Sequence, residues 1–163
     1  MDTTTPHLID EVRDLLNSGV NEVFSTMLTL DAQPAAPHDL HASGETLVAG
    51  SVGFIGDVQG LVYIHVTAAF ARTLAGRMLG MPEAEIDGDE MVNDVIGELS
   101  NMIVGAVKSR LCDSGAPCVL TIPSIVRGQN FSVEPACSSE RRLLSFRCGA
   151  DHVLVELLMK NPT

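Results

Sequence analysis

The chain has no tryptophan, one tyrosine and no basic cluster longer than Arg141-Arg142. With a formal net charge of −11, that scarcity of grouped lysine and arginine excludes a surface built to track nucleic-acid phosphates. Long apolar runs are missing as well. Stretches such as Val153 to Val155 and Leu157 to Met159 are interrupted by Glu156 and fall far short of the roughly 20 residues that span a bilayer. The first residues, Met1-Asp2-Thr3-Thr4-Thr5-Pro6, lack the basic start and apolar core of a secretory signal, so a cytoplasmic location is expected. Cys112, Cys118, Cys137 and Cys148 are separated by 6, 19 and 11 positions, which fits neither a CxxC redox pair nor a zinc-ligand pattern. They are read as buried, unreactive thiols.

What is present is apolar substance at regular spacing. With 163 residues, 45% of them apolar, one domain over residues 1–163 can bury a core without disulfides. Thr5-Pro6 has the form of an N-cap and first helical residue, and Leu8, Val12, Leu15, Leu16, Val20, Val23 and Met27 recur at helical spacing up to about Leu28. Asp31 to Gly44, rich in Ala, Pro, His and Asp, reads as a surface loop. Thr46 to Ile55 and Leu61 to Val66 read as a hairpin around Gly56-Asp57-Val58-Gln59-Gly60. A second helix follows from Thr67 to Leu79, closed by Gly80, and a third from Asp87, with Glu90 completing a capping box, to about Leu111. Strand-like runs at Cys118 to Val126, Leu143 to Cys148 and His152 to Leu158 finish the chain. Helices set around hairpins, without strict alternation with strands, predict an α+β fold: a mostly antiparallel sheet with long helices packed on it.

The third helix is divided sharply. At 100° per residue, Asp94, Glu98, Asn101, Gly105 and Lys108 share one narrow stripe, while Val95, Leu99, Met102 and Ile103 lie on a broad apolar face. A solvated helix side accounts for many such stripes. Here, however, Gly97 and Gly105 lie beside and within it, each costing about 1 kcal/mol relative to alanine. Asn101 is also a mediocre helix former. Bare backbone flanking Glu98 and Asn101 would let a partner surface approach closely.

The run Asp94-Val95-Ile96-Gly97-Glu98-Leu99-Ser100-Asn101 resembles the signature helix of the CheC/CheX/FliY phosphatases, in which Asp or Ser, Glu and Asn recur at this spacing. Pro123 in Thr121-Ile122-Pro123-Ser124 is similar to that family's following proline-containing strand. Ser51 to Gly60 is similar to its first hairpin, and Met78-Leu79-Gly80-Met81 to the end of its second helix. One intact motif points to the CheX branch; Ser18, Glu22 and Ser25 in the first helix share its spacing but lack the amide. The resemblance implies a phosphatase for a phosphorylated CheY-like response regulator, whose own carboxylates hold Mg²⁺, so that no cofactor or metal of this chain is needed. It implies that Asn101 orients the attacking water and Glu98 pairs with the regulator's lysine, with Asp94, Gly97, Gly105 and Lys108 along the contact. A homodimer joined through sheet edges, such as the strands from Leu143 to Leu158, is expected. A receiver-binding or dimeric scaffold without hydrolysis is the competing reading. His38 and His41 are three positions apart in a Pro-rich loop with no evident further ligand, so a metal is not expected there.

Overall fold

Period-2 burial builds the sheet. In the computed structural model, which describes residues 8–135 and 139–160, Val48, Val52 and Phe54, then Val62, Ile64 and Val66, then Val153, Val155 and Leu157 all point into one apolar core. These residues belong to β2 (Leu47–Gly56), β3 (Gly60–Thr67) and β7 (Asp151–Lys160). The other strands are β1 (Gln33–Ala35), β4 (Cys118–Leu120), β5 (Ser124–Gly128) and β6 (Ser139–Cys148). Every strand pair is antiparallel, in the order β1-β6-β7-β3-β2, with β4 and β5 both on the outer side of β2. The core face is covered by α1 (Leu8–Met27), α2 (Ala68–Leu79) and α3 (Gly88–Asp113). The expected α+β fold is thus the observed one.

Several local readings hold in detail. Thr67 Oγ1 accepts from the Phe70 amide at 3.1 Å, capping α2, and Gly80 closes that helix with φ 64, in the left-handed region that suits glycine. Asp87 does stand at the start of α3, but its carboxylate makes no capping bond; the chain enters through Gly88 at φ 71. The proposed Thr5-Pro6 start of α1 lies outside the described residues, as does Cys137.

The loop from Asp31 to Gly44 contains β1 and a 3₁₀ turn at Leu40–Ser43. β1 escapes detection because it is three residues long and carries Pro34, which an edge strand alone tolerates. Of the terminal strands expected as sheet edges, β7 is not one, whereas β6 has no outer strand partner from Ser139 to Leu144 among the described residues. β7 is paired on both sides, and β1 covers β6 from Ser145 to Arg147. Cys112 is exposed, contrary to expectation, because it falls on the outer side of the last turn of α3, whereas Cys118 and Cys148 are buried.

Candidate active site

α3 is fixed from three directions before its outer face is considered. Against β2, a Cβ placed on Gly50 would come within 2.1 Å of Ser100 Oγ, so only glycine admits the helix this close. Ser100 itself is buried and donates to the Ile96 carbonyl at 2.8 Å. Against α1, a Cβ on Gly19 would stand 3.1 Å from the Ile103 carbonyl oxygen. From β5, Arg127 donates to Asn93 Oδ1 at 2.7 Å and lies 3.6 Å from Asp89, tying the first turns of the helix to the sheet.

The outer stripe that results agrees closely with the angular reading. Asp94 and Glu98 are exposed, and Asn101, Gly105 and Lys108 are half-buried, while Val95, Leu99 and Ile103 are buried; Met102 is half-buried at the border. Among the described residues, the side chains of Glu98 and Asn101 have no hydrogen-bond or ion-pair partner. Three positions apart on a helix, their Cβ atoms are about 5–6 Å from each other. Lys108 lies about 10 Å beyond Asn101 along the axis, so it belongs to the rim of the stripe and is not brought together with the pair.

The two glycines differ. A Cβ on Gly105 would meet nothing within 4 Å, leaving open backbone on the stripe as expected. Gly97 is instead buried, and a Cβ there would touch Pro123 at 3.6 Å and Ile125 at 4.0 Å. Its bareness serves internal packing of α3 against the β4–β5 connection, so the expected partner contact at Gly97 is not available. At 300° from Asp94 on the helical wheel it already leans off the stripe toward the sheet.

That connection carries what sequence reasoning missed. The run from Cys118 to Val126 was expected as one strand, yet it splits at Thr121-Ile122-Pro123 because proline cannot donate to the ladder. Ser51 pairs with Ser124 and Phe54 with Leu120, so two residues of β2 oppose three of the partner, a β-bulge. Thr121 anchors it, its amide donating to the Gly53 carbonyl at 2.9 Å and its Oγ1 accepting from the Gly53 amide at 2.8 Å. Ile122 is thereby pushed outward, 87% exposed, next to Pro123, whose ring packs on Gly97 of α3. A proline within a strand-like run was the signal that could have located this bulge.

The opposite face of the sheet gathers a second polar group. His65 on β3 and Glu156 on β7 are both buried, with Nε2 and Oε1 2.8 Å apart, and Arg141 on β6 donates to the other carboxylate oxygen at 2.9 Å. Burial opposes ionisation of Glu156, but the His65 and Arg141 contacts outweigh it, and its carboxyl is held below the usual range. His41, in the 3₁₀ turn, lies against His65 with ring centroids 5.1 Å apart. Separations of 24 and 91 positions hide this juxtaposition from any reading of sequence spacing.

Comparison with solved structures finds the same fold repeatedly. The chain is similar to the chemotaxis protein CheX from Vibrio vulnificus, with 24% identity and a TM-score of 0.77 over 92% of this chain and 97% of that one. It is similar to a chain of the CheX-CheY-BeF3-Mg complex from Borrelia burgdorferi, with 21% identity and a TM-score of 0.76 over 92% of this chain and 98% of that one. It also resembles FliY from Thermotoga maritima, at 16% identity and a TM-score of 0.67 over 98% and 92% of the two chains. No curated protein matches the sequence significantly. At these identities the structures speak to the fold, while the sequence itself matches the family model described as "Chemotaxis phosphatase CheX" over residues 48–147. That stretch runs from β2 into β6 and takes in all of α3, the bulge and the stripe; on that match this chain belongs to the CheX family of chemotaxis phosphatases.

Proposed function

We propose that this chain dephosphorylates the aspartyl phosphate of a CheY-like receiver domain, with Glu98 docking the helix and Asn101 orienting the attacking water. The observation that carries this reading is the pair of polar side chains, one helical turn apart, left without partners on the outer stripe of a helix anchored on its other sides. Internal hydrogen bonds would have to be broken before such groups could act; here none exists among the described residues.

The chemistry asks little of the phosphatase. The water oxygen attacks phosphorus as the bond from phosphorus to the aspartyl oxygen breaks, giving inorganic phosphate and the receiver's carboxylate. An amide suits the task, since Oδ1 accepts from the water while Nδ2 donates to a phosphoryl oxygen, with no change in its own protonation. Orientation of this kind lowers the barrier by placing the nucleophile rather than by removing its proton. Glu98, exposed on the same turn, would pair with the lysine of the receiver's site, and the solved Borrelia complex of CheX with CheY, BeF3 and Mg supports a receiver as the partner class and Mg²⁺ as belonging to that receiver.

Open backbone at Gly105 supplies close approach beside the pair. A net charge of −11 gives little long-range attraction toward an acidic phosphorylated site, so docking rests on this local fit and on Glu98. The test is the decay of labelled aspartyl phosphate on a receiver in the presence of substoichiometric amounts of this protein. Shortened lifetime supports the proposal; saturable binding with an unchanged lifetime replaces it with a non-catalytic receiver-binding module.

A further inference from the structure

On the face of the sheet away from α3, two neighbouring imidazoles and a carboxylate converge, leaving ring nitrogens without a hydrogen bond. His65 is 0% exposed and Glu156 2%. His65 Nδ1 and His41 Nδ1 are buried and have no hydrogen-bond partner, while His65 Nε2 stands 2.8 Å from Glu156 Oε1. Buried ring nitrogens normally find partners, because leaving one unmade costs about 1–3 kcal/mol. One donor atom from each of His41, His65 and Glu156 lies within 4.8 Å of the others.

We propose that His41, His65 and Glu156 form a binding site for one divalent transition-metal ion of the zinc class. Two imidazoles and one carboxylate suit Zn²⁺, Co²⁺ or Ni²⁺, whereas Mg²⁺ and Ca²⁺ call for oxygen donors throughout. Tetrahedral ligation with bonds of about 2.0–2.1 Å needs donors about 3.3 Å apart, so closure requires a shift on the order of 1 Å. The residue free to supply it is His41, which sits in a short 3₁₀ turn held through its amide by Asp39 at 3.0 Å, while β3 and β7 fix the other two.

Surrounding groups are arranged to support the ligands. Arg141 occupies Glu156 Oε2 and leaves Oε1 toward the histidines, the placement of an outer partner that orients a carboxylate ligand. Phe131 lies edge-on to His41, with centroids 4.9 Å apart, and stacks on His65 at 6.0 Å, shielding the cluster. Three protein donors leave a fourth position for water. The ion would pin the turn at Leu40–Ser43 to the sheet, independently of the α3 stripe.

The experiment is titration of the full chain with Co²⁺, read by visible absorption, and competition with Zn²⁺. The expected result is one equivalent bound with ligand-field bands of a nitrogen and oxygen site, displaced by Zn²⁺, and protection against thermal unfolding by either ion. His41→Ala, a change at a half-buried turn residue, should weaken binding more than about tenfold, since even outer-shell losses cost 10–100-fold. His38→Ala and Cys112→Ser should leave it unchanged. Absence of stoichiometric Co²⁺ binding to the wild-type chain overturns the site whatever the variants do. So do thiolate charge-transfer bands, or full affinity in His41→Ala.

Discussion

Gly50→Ala tests how α3 is seated. The added Cβ would stand 2.1 Å from Ser100 Oγ, 3.1 Å from Ser100 Cβ and 3.3 Å from Ile96 Cγ2, so either the hydroxyl must rotate out of a buried site or α3 must lift off β2. Overpacking of this kind costs about 1–3 kcal/mol. For a chain of this length each kcal/mol lowers Tm by roughly 3 °C. Ser100→Ala removes the worst clash: what remains, at 3.1 Å and 3.3 Å, needs adjustments of only tenths of an ångström. Alone, Ser100→Ala loses a bond to the helix's own Ile96 carbonyl, a near-neutral change. Urea unfolding of the wild type, both single variants and the double variant should therefore show the double about 1 kcal/mol more stable than the sum of the singles. A Gly50→Ala variant as stable as wild type, or one that Ser100→Ala fails to rescue, would refute the claim that this glycine sets the height of α3.

Burial, with Asp151 and Asp31 adding to it, pushes the Cys148 thiol up to about 11, so alkylation at pH 8 followed by peptide mapping should label exposed Cys112 and spare Cys148. Because the folded thiol holds its proton more tightly than the unfolded one, its contribution to stability is intact below pH 9 and is lost as pH rises from about 9 to about 11, which denaturant midpoints across that range will show. Gly105→Gln should gain up to about 1 kcal/mol of stability from helix propensity while weakening receiver binding, since a Cβ there meets nothing within 4 Å and projects from the stripe; thermal melts and binding titrations separate the two effects.

The outer stripe of α3 was legible in the sequence because one helix carries its whole geometry: 100° per residue places Asp94, Glu98 and Asn101 together whatever lies beneath. What a residue faces across the fold was not legible. Gly97 and Gly105 look alike in the sequence, yet one packs on Pro123 and the other is open, a distinction set by the bulge on the neighbouring strand. Likewise β7 looked like an edge because it ends the chain, whereas pairing places it mid-sheet between β3 and β6. Period-2 alternation exposes the buried positions of β3 and β7, but cannot tell that His65 and Glu156 sit diagonally on adjacent strands, nor that a turn 24 residues upstream sets His41 over them.

The central claim is that Asn101 positions the hydrolytic water. Its half-buried side chain touches no hydrogen-bonding partner among the described residues, so Asn101→Ala creates no core cavity and slightly favours the helix. The direct measurement is the lifetime of labelled aspartyl phosphate on a CheY-like receiver saturated with either protein, with binding titrated alongside. Loss of an interaction made chiefly on the way to the transition state should lower turnover by at least about a hundredfold with little change in affinity, since one oriented contact of this type supplies about 3 kcal/mol. Glu98→Ala should weaken affinity as well. Wild-type turnover in a folded, receiver-binding Asn101→Ala protein would contradict the account.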